Sequence, residues 1–200
     1  MKNILPIILL LFLFDISYAQ PFEGGFFGGV TFSQVDGDTY GGFNKMGISA
    51  GGYITKEINR KSNWKAELRY IQKGAYSKPT EENPALYKLI IHYVEIPLMY
   101  QYHINKEIIL DAGISPDIYI FHKEETQDGE DPPEDGPAYH RFGLNGNIGI
   151  YYALNEKLSV GARQSYSLIP MRDHASGQTY LLNRGQYNSV ISFTLYYHFK

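Results

Sequence analysis

The sequence predicts an all-β protein, an eight-stranded antiparallel up-and-down transmembrane β-barrel. Three observations predict this fold: segments with a two-residue period, connections that alternate between short and long, and 18 Tyr and 20 Gly among 200 residues. The period is clearest in residues 187–199, where odd positions are mostly aromatic or aliphatic and even positions mostly polar. Their length suits a tilted membrane strand of about 9–11 residues.

The first element is a predicted signal peptide over residues 1–19. Lys2 supplies a positive start, residues 4–14 are apolar, and Ser17 and Ala19 supply the small residues that signal peptidase needs. The apolar run is too short for a membrane-spanning helix. Residues 20–200 then form a single outer-membrane β-barrel domain, and the predicted location is the cell outer membrane. The chain has no cysteine, so its fold must hold without disulfides.

Eight segments with a period of two follow the signal peptide. In the third, Trp64 and Leu68 alternate with Lys65 and Glu67, so that one face is apolar and the other charged. The eight segments cover approximately residues 25–34, 43–56, 63–76, 89–103, 107–121, 138–153, 157–168 and 187–199.

The connections between these segments predict the topology. They are short after the second, fourth and sixth strands, at 57–62, 105–106 and 155–156, and longer after the other strands. Outer-membrane barrels have short periplasmic turns and longer extracellular loops. An even number of strands therefore places both chain ends on the periplasmic side.

The predicted lumen is filled rather than open. The interior of an eight-stranded barrel is just wide enough for side chains, and charges buried there have to be paired. We expect the inward-facing charged residues to form a network of ion pairs and hydrogen bonds. These residues are Lys65, Glu67, Arg69, Glu95, Asp111, Arg141 and Arg163.

Two segments carry a resemblance to a known family. ELRYIQKGA at 67–75 resembles the E-L-x-Y-x-x-K-G-A strand of the PorT-like outer-membrane β-barrel proteins, and YVEIPL at 93–98 is similar to their Y-L-E-I-P-L strand. The resemblance covers essentially the whole mature chain. It implies an eight-stranded outer-membrane barrel, mostly without an assigned activity, although the name-giving member takes part in protein secretion. The chain departs from the usual insertion signal because Lys200 follows the terminal aromatic residue.

The sequence contains no recognisable catalytic or metal site. Glu67 and Glu95 are both predicted to face inward, where paired carboxylates could perform acid–base chemistry, but ion pairing with the inward arginines is the simpler interpretation. The six histidines show no paired metal-binding spacing. His198 beside the strand residues Ser165 and Ser192 would be compatible with a hydrolase. We predict no catalytic residues, no metal and no cofactor.

The segment 123–136 is strongly acidic, but its spacing does not match a calcium-binding loop, which favours a solvated surface loop. The formal net charge of −3 is too small to indicate nucleic acid. The predicted partners are outer-membrane lipid and other envelope or secretion proteins. The predicted function is a non-enzymatic, porin-like or PorT-like barrel with a structural, surface-interaction or protein-export accessory role. Two alternatives stay open: a lipid A deacylase or acyltransferase, and a soluble lipocalin-like ligand-binding barrel.

Overall fold

The computed structural model describes residues 22–38, 41–77, 86–126, 129–130, 137–174 and 185–199. The predicted signal peptide and its cleavage site lie outside this part of the chain. Among the described residues, no helix is long and apolar enough to cross a membrane. The strands are β1 (Glu23–Asp36), β2 (Lys45–Asn59), β3 (Ser62–Ser77), β4 (Tyr87–Glu95), β5 (Leu98–His103), β6 (Ile108–Thr126), β7 (Gly129–Glu130), β8 (Phe142–Ala153), β9 (Leu158–Ser167) and β10 (Tyr187–His198).

The strands close into a single antiparallel ring. β1 pairs with β2 and β10, β2 pairs with β3, and the ladder continues through β6, β8 and β9 back to β10. β4 and β5 are two halves of one spanning strand, interrupted at Pro97 because proline has no N–H to donate. The short β7 only extends the end of β6. The ring therefore has eight spanning strands, which confirms the predicted fold class.

The apolar side chains face outward and the polar side chains face the lumen. On β8, Ile148 is 65% exposed whereas the adjacent Asn147 is 5% exposed. On β3, Leu68 is 62% exposed whereas Glu67 is 2% exposed. A lipocalin-like soluble barrel would have the opposite arrangement, with an apolar lumen around its ligand and a polar wall, so the structure disfavours that alternative.

Aromatic residues border the apolar wall at both ends. On β8 the exposed rings of Phe142 and Tyr152 lie ten residues apart, and on β10 Tyr187 and Tyr197 have the same spacing. At about 3.4 Å per residue and a strand tilt of about 40°, ten residues rise about 25 Å. This height equals the apolar band of outer-membrane barrels, so the rings mark the two membrane interfaces.

The three tight turns share one local cause. Asn59, Asn105 and Asn155 each accept a hydrogen bond from the backbone N–H two residues later through the side-chain oxygen, at 3.0, 2.8 and 2.8 Å. This side-chain bond mimics a backbone turn and favours a sharp reversal. The described chain ends, Phe22 and Phe199, lie at the same end as these turns, which is the periplasmic end by the loop rule.

The extracellular end is closed by an apolar cluster. The ladder between β2 and β3 ends at the pair Ser49 and Ile71. Beyond this pair β3 crosses the inner side of β2 at Gly47. It approaches so closely that a Cβ added at Gly47 would lie 2.8 Å from the Gln72 carbonyl oxygen. The hydroxyl of Thr31 on β1 donates to that same oxygen at 2.9 Å. The apolar cluster at this end consists of the buried side chains of Val35, Ile71, Ala75, Tyr87, Leu89, Ile91, Tyr93, Met171 and Val190.

Candidate functional site: the charged barrel interior

The periplasmic half of the lumen, called the lower half below, contains a charged cluster centred on Glu67. Because side chains alternate along a strand, Lys65, Glu67 and Arg69 of β3 all point into the barrel. Lys65 Nζ lies 3.1 Å and an Arg69 terminal nitrogen 2.8 Å from the Glu67 carboxylate. Arg163 of β9 adds two parallel hydrogen bonds, at 3.0 and 2.8 Å. Glu67 is thus held by three cations, and its bidentate bond to Arg163 fixes the geometry.

Asp111 of β6 is the second anion of this lower cluster. Its carboxylate lies 3.2 Å from Lys65 Nζ and 3.1 Å from Arg163. Three cations therefore share two carboxylates. Lys65 Nζ also lies 4.2 Å from the ring centre of Tyr151 and 5.0 Å from that of Tyr196. Because aromatic faces attract cations, these rings offset part of the surplus positive charge.

An upper cluster is centred on Lys73, which is fully buried. Lys73 Nζ lies 2.7 Å from Glu95 and 3.0 Å from Asp117, and it donates to the Asn145 side chain at 3.3 Å. Here one cation serves two carboxylates, so the surplus is negative. The two clusters together contain four cations and four carboxylates, and they balance within the lumen.

The predicted inward residues have different positions in the structure. Lys65, Glu67, Arg69, Asp111 and Arg163 lie together in the lower cluster, and Glu95 lies in the upper one. Lys73 and Asp117 were not in the predicted set. Lys73 lies on the inward face of β3 at even spacing from Arg69, so extending the two-residue period along β3 would have found it.

The prediction for Arg141 was wrong. Arg141 is exposed and precedes β8, whose ladder with β6 ends at the pair Ile118 and Phe142. The two-residue alternation was extended one position past the point where the strand begins. The Arg141 carbonyl still accepts a hydrogen bond from the Tyr119 N–H at 2.9 Å, but both Arg141 and Phe142 are exposed, so the alternation of buried and exposed side chains does not extend to this end of the barrel.

Glycines make room for this network. Tyr151 of β8 lies across Gly161 of β9, where an added Cβ would lie 2.3 Å from the tyrosine Cδ1. At Gly143 an added Cβ would lie 2.1 Å from the Asp117 carboxylate. The absence of side chains at these two positions lets the aromatic ring and the carboxylate lie against the barrel wall.

A cap of loop residues covers the extracellular end. The Arg172 guanidinium lies 4.8 Å from the ring centre of Tyr139 and 3.4 Å from the Glu124 carboxylate. Tyr139 stacks on Tyr119 of β6 with ring centres 5.5 Å apart, and burial raises the pKa of the Tyr139 phenol. Glu124 belongs to β6, so the acidic segment 123–136 begins as strand rather than loop. Most of its remainder lies outside the described residues.

The periplasmic end of the lumen contains a cavity of about 130 Å³. The His198 ring there is hydrogen-bonded to Ser159, with Oγ and Nε2 2.7 Å apart. The sequence suggested Ser165 and Ser192 as partners of His198, but neither contacts it. The Ser192 hydroxyl donates to the Arg163 carbonyl, and Ser165 Oγ has no hydrogen-bond partner among the described residues. Within the described ranges, no cluster of three His, Asp or Glu residues could hold a metal ion.

The closed barrel, its apolar wall and its charged lumen agree with a comparison of the sequence with protein families. A family model described as outer membrane protein beta-barrel domain matches residues 18–173. The chain belongs to this family. Its members' shared fold places this β-barrel protein in the outer membrane, as predicted. No curated protein matches its sequence.

Solved structures support the same fold for this outer-membrane β-barrel protein. It is similar to Ail, the attachment invasion locus protein of Yersinia pestis, with a TM-score of 0.52, 14% identity and coverage of 88% of this chain and 98% of that one. It is also similar to Neisserial surface protein A, with a TM-score of 0.52 and 11% identity, and the match covers 89% of this chain and 97% of that one. At such low identity the likeness concerns the fold alone.

Proposed function

We propose that this protein is a non-conducting outer-membrane barrel whose principal role is non-catalytic interaction at the cell surface, carried out by its extracellular cap. We further propose that it is a PorT-like member of the family, exported by cleavage of a signal peptide after Ala19. A structural or protein-export accessory role is the second candidate, because the segments at 67–75 and 93–98 resemble PorT-like proteins.

The observation that carries this proposal is that side chains of the described residues fill the barrel lumen. The two charged clusters occupy the lumen within the membrane, and the apolar cluster around Leu89 and Ile91 lies above them. Each carboxylate of the lower cluster is held by at least two cations. Carboxylates held in this way are poorly suited to exchange protons with a substrate, so the clusters fit a structural role in the barrel.

The cap supplies the surface for interaction. β6 continues to Thr126, eight residues past Ile118, which pairs with the interfacial Phe142. The part of β6 beyond the interface carries Tyr119 and His122. Tyr139 stacks on the Tyr119 ring and contacts the His122 ring at a tilted angle, with ring centres 4.4 Å apart. Aromatic side chains that are held by packing are typical anchors of protein interfaces, because little conformational entropy is lost on binding.

Planar lipid bilayer recordings test the closure of the barrel. We expect the folded full-length protein to produce no stable single-channel steps, because the side chains of the described residues fill the lumen between its two ends. The change in gel mobility on heating, measured on the same sample, shows that the protein is folded. A reproducible conductance from folded protein would contradict the proposal.

Photo-crosslinking in intact cells tests where partners bind. A photoreactive amino acid would replace either Ala138 near the cap or Glu156 in a periplasmic turn, both exposed positions. We expect protein adducts at position 138 and none at position 156. Adducts only at position 156 would support the export accessory role, and adducts at neither position would support a structural role.

A further inference from the structure

A second polar site lies at the periplasmic end of the barrel, next to the lower cluster, whose Lys65 lines the same cavity. His198, the last residue of β10, bonds to residues of two other strands: Ser159 of β9, at 2.7 Å from its Nε2, and Tyr53 of β2, whose hydroxyl contacts its Nδ1. The Tyr53 hydroxyl also donates to the carbonyl of Tyr197, at 3.5 Å.

The two contacts of the imidazole define what each ring nitrogen can do. In the tautomer with the proton on Nδ1, His198 donates to the Tyr53 hydroxyl oxygen, and Nε2 is left to accept a hydrogen bond from the Ser159 hydroxyl. This is the arrangement in which histidine removes the proton of a nucleophilic serine, with a third group holding the ring.

The surroundings of Ser159 define what could reach it. Ser159 and His198 line both the 130 Å³ cavity and an adjoining open cleft of about 1000 Å³. The cleft is amphipathic, since Ile54, Leu154 and Phe199 line it from the exposed apolar wall. The cleft thus joins the lipid-facing rim at the periplasmic interface to the serine.

A hydrogen-bond donor is also available inside the cavity. Gln101 of β5 lines it and is 6% exposed. Its N–H₂ group is of the type that stabilises the negative oxygen formed during acyl transfer.

We propose that Ser159 is the nucleophile and His198 the general base of a serine esterase site that takes acyl esters of amphiphiles from the periplasmic leaflet. The Ser159 proton passes to His198 Nε2 while Oγ bonds to the acyl carbon, and the alcohol leaves with that proton. Water then cleaves the acyl-serine ester and restores the serine, so that an ester and water become a carboxylic acid and an alcohol. Tyr53 is a positioning residue. The site lies at the opposite end from the cap and is independent of the surface role.

Covalent labelling of the full-length protein, folded in detergent, tests the proposal. A biotinylated fluorophosphonate should label Ser159, as located by peptide mass spectrometry, and micellar short-chain phosphatidylcholine should release fatty acid. Ser159→Ala should abolish both signals, and His198→Asn should lower the labelling rate by about 100-fold or more. Tyr53→Phe should lower kcat with little change in KM. The matched control is Ser165→Ala, which removes a different buried serine hydroxyl, one that has no hydrogen-bond partner among the described residues.

The opposite results are equally decisive. If folded wild-type protein is not labelled at Ser159, or hydrolyses phosphatidylcholine no faster than Ser159→Ala, the serine and histidine only fill the barrel mouth. If Ser159→Ala fails to fold, labelling of the wild type and the rate of His198→Asn still decide the question. Conductance and crosslinking at the cap are separate measurements, so failure of this proposal leaves the proposed surface role unaffected.

Discussion

Replacing Glu67 by Gln is expected to lower the free energy of unfolding by about 3–5 kcal/mol, because it removes one partner of a buried ionic cluster. Glu67 contacts Lys65, Arg69 and Arg163 at 2.8–3.1 Å, and the side chain is fully buried. In the variant these three cations retain only Asp111 as an anion in their cluster. The change in shape is small, so the loss reports the charge rather than the packing. Urea unfolding in lipid vesicles measures it.

Arg141→Gln is the matched control for Glu67→Gln. It also converts a charged residue to glutamine, at a position that the sequence predicted to be inside the barrel, but Arg141 is exposed. We expect its effect to stay within about 0.5 kcal/mol, as for most surface substitutions. Equal stability of Glu67→Gln and the wild type would mean that the lower cluster does not hold the barrel together.

Ile148→Arg is expected to destabilise the barrel by about 2–4 kcal/mol, because it places a cation at the middle of the membrane. Ile148 lies on β8 about halfway between the interfacial rings of Phe142 and Tyr152, and its side chain is 65% exposed on the apolar wall. At this depth an arginine cannot easily extend to water at either interface. Unfolding and refolding in vesicles, followed by the heat-dependent gel shift, measures the change.

Leu154→Arg provides the comparison on the same hairpin. Leu154 is 53% exposed but lies in the periplasmic turn after β8, so its arginine would reach the interface, where the cost falls to about 0–1 kcal/mol. A similar loss of stability in both variants would show that the wall at Ile148 does not face hydrocarbon, and it would overturn the membrane orientation of the barrel.

The sequence was sufficient for most of the fold because local rules govern it. The alternation of side chains along β3 and β8 predicted which face of each strand is apolar, and the short connections at 57–62, 105–106 and 155–156 predicted the periplasmic end. Strand ends were less accurate. β6 reaches Thr126 rather than residue 121, because its extension pairs with β4 at the extracellular end and is stabilised by packing between strands.

The charged interior could be predicted as a set but not as contacts. Glu67 and Arg163 are separated by 96 residues, and their bidentate bond depends on the stagger of strands around the ring. The stagger of the strands also explains why Glu95 and Glu67 are not neighbours. The two carboxylates lie in different clusters, each with its own cations. Only pairs on one strand, such as Lys65 and Glu67, could be anticipated from spacing.

The sequence alone therefore determined that this chain forms an eight-stranded barrel with an apolar wall, a polar lumen and its tight turns at one end, because each feature follows from periodicity within a strand or from the lengths of the connections. Only the tertiary structure decided the extracellular closure by β3 and Met171, and the pairing of His198 with Ser159 rather than Ser165 or Ser192. These contacts join residues from strands or loops whose relative height is set by closing the ring, and no local pattern in the chain specifies that height.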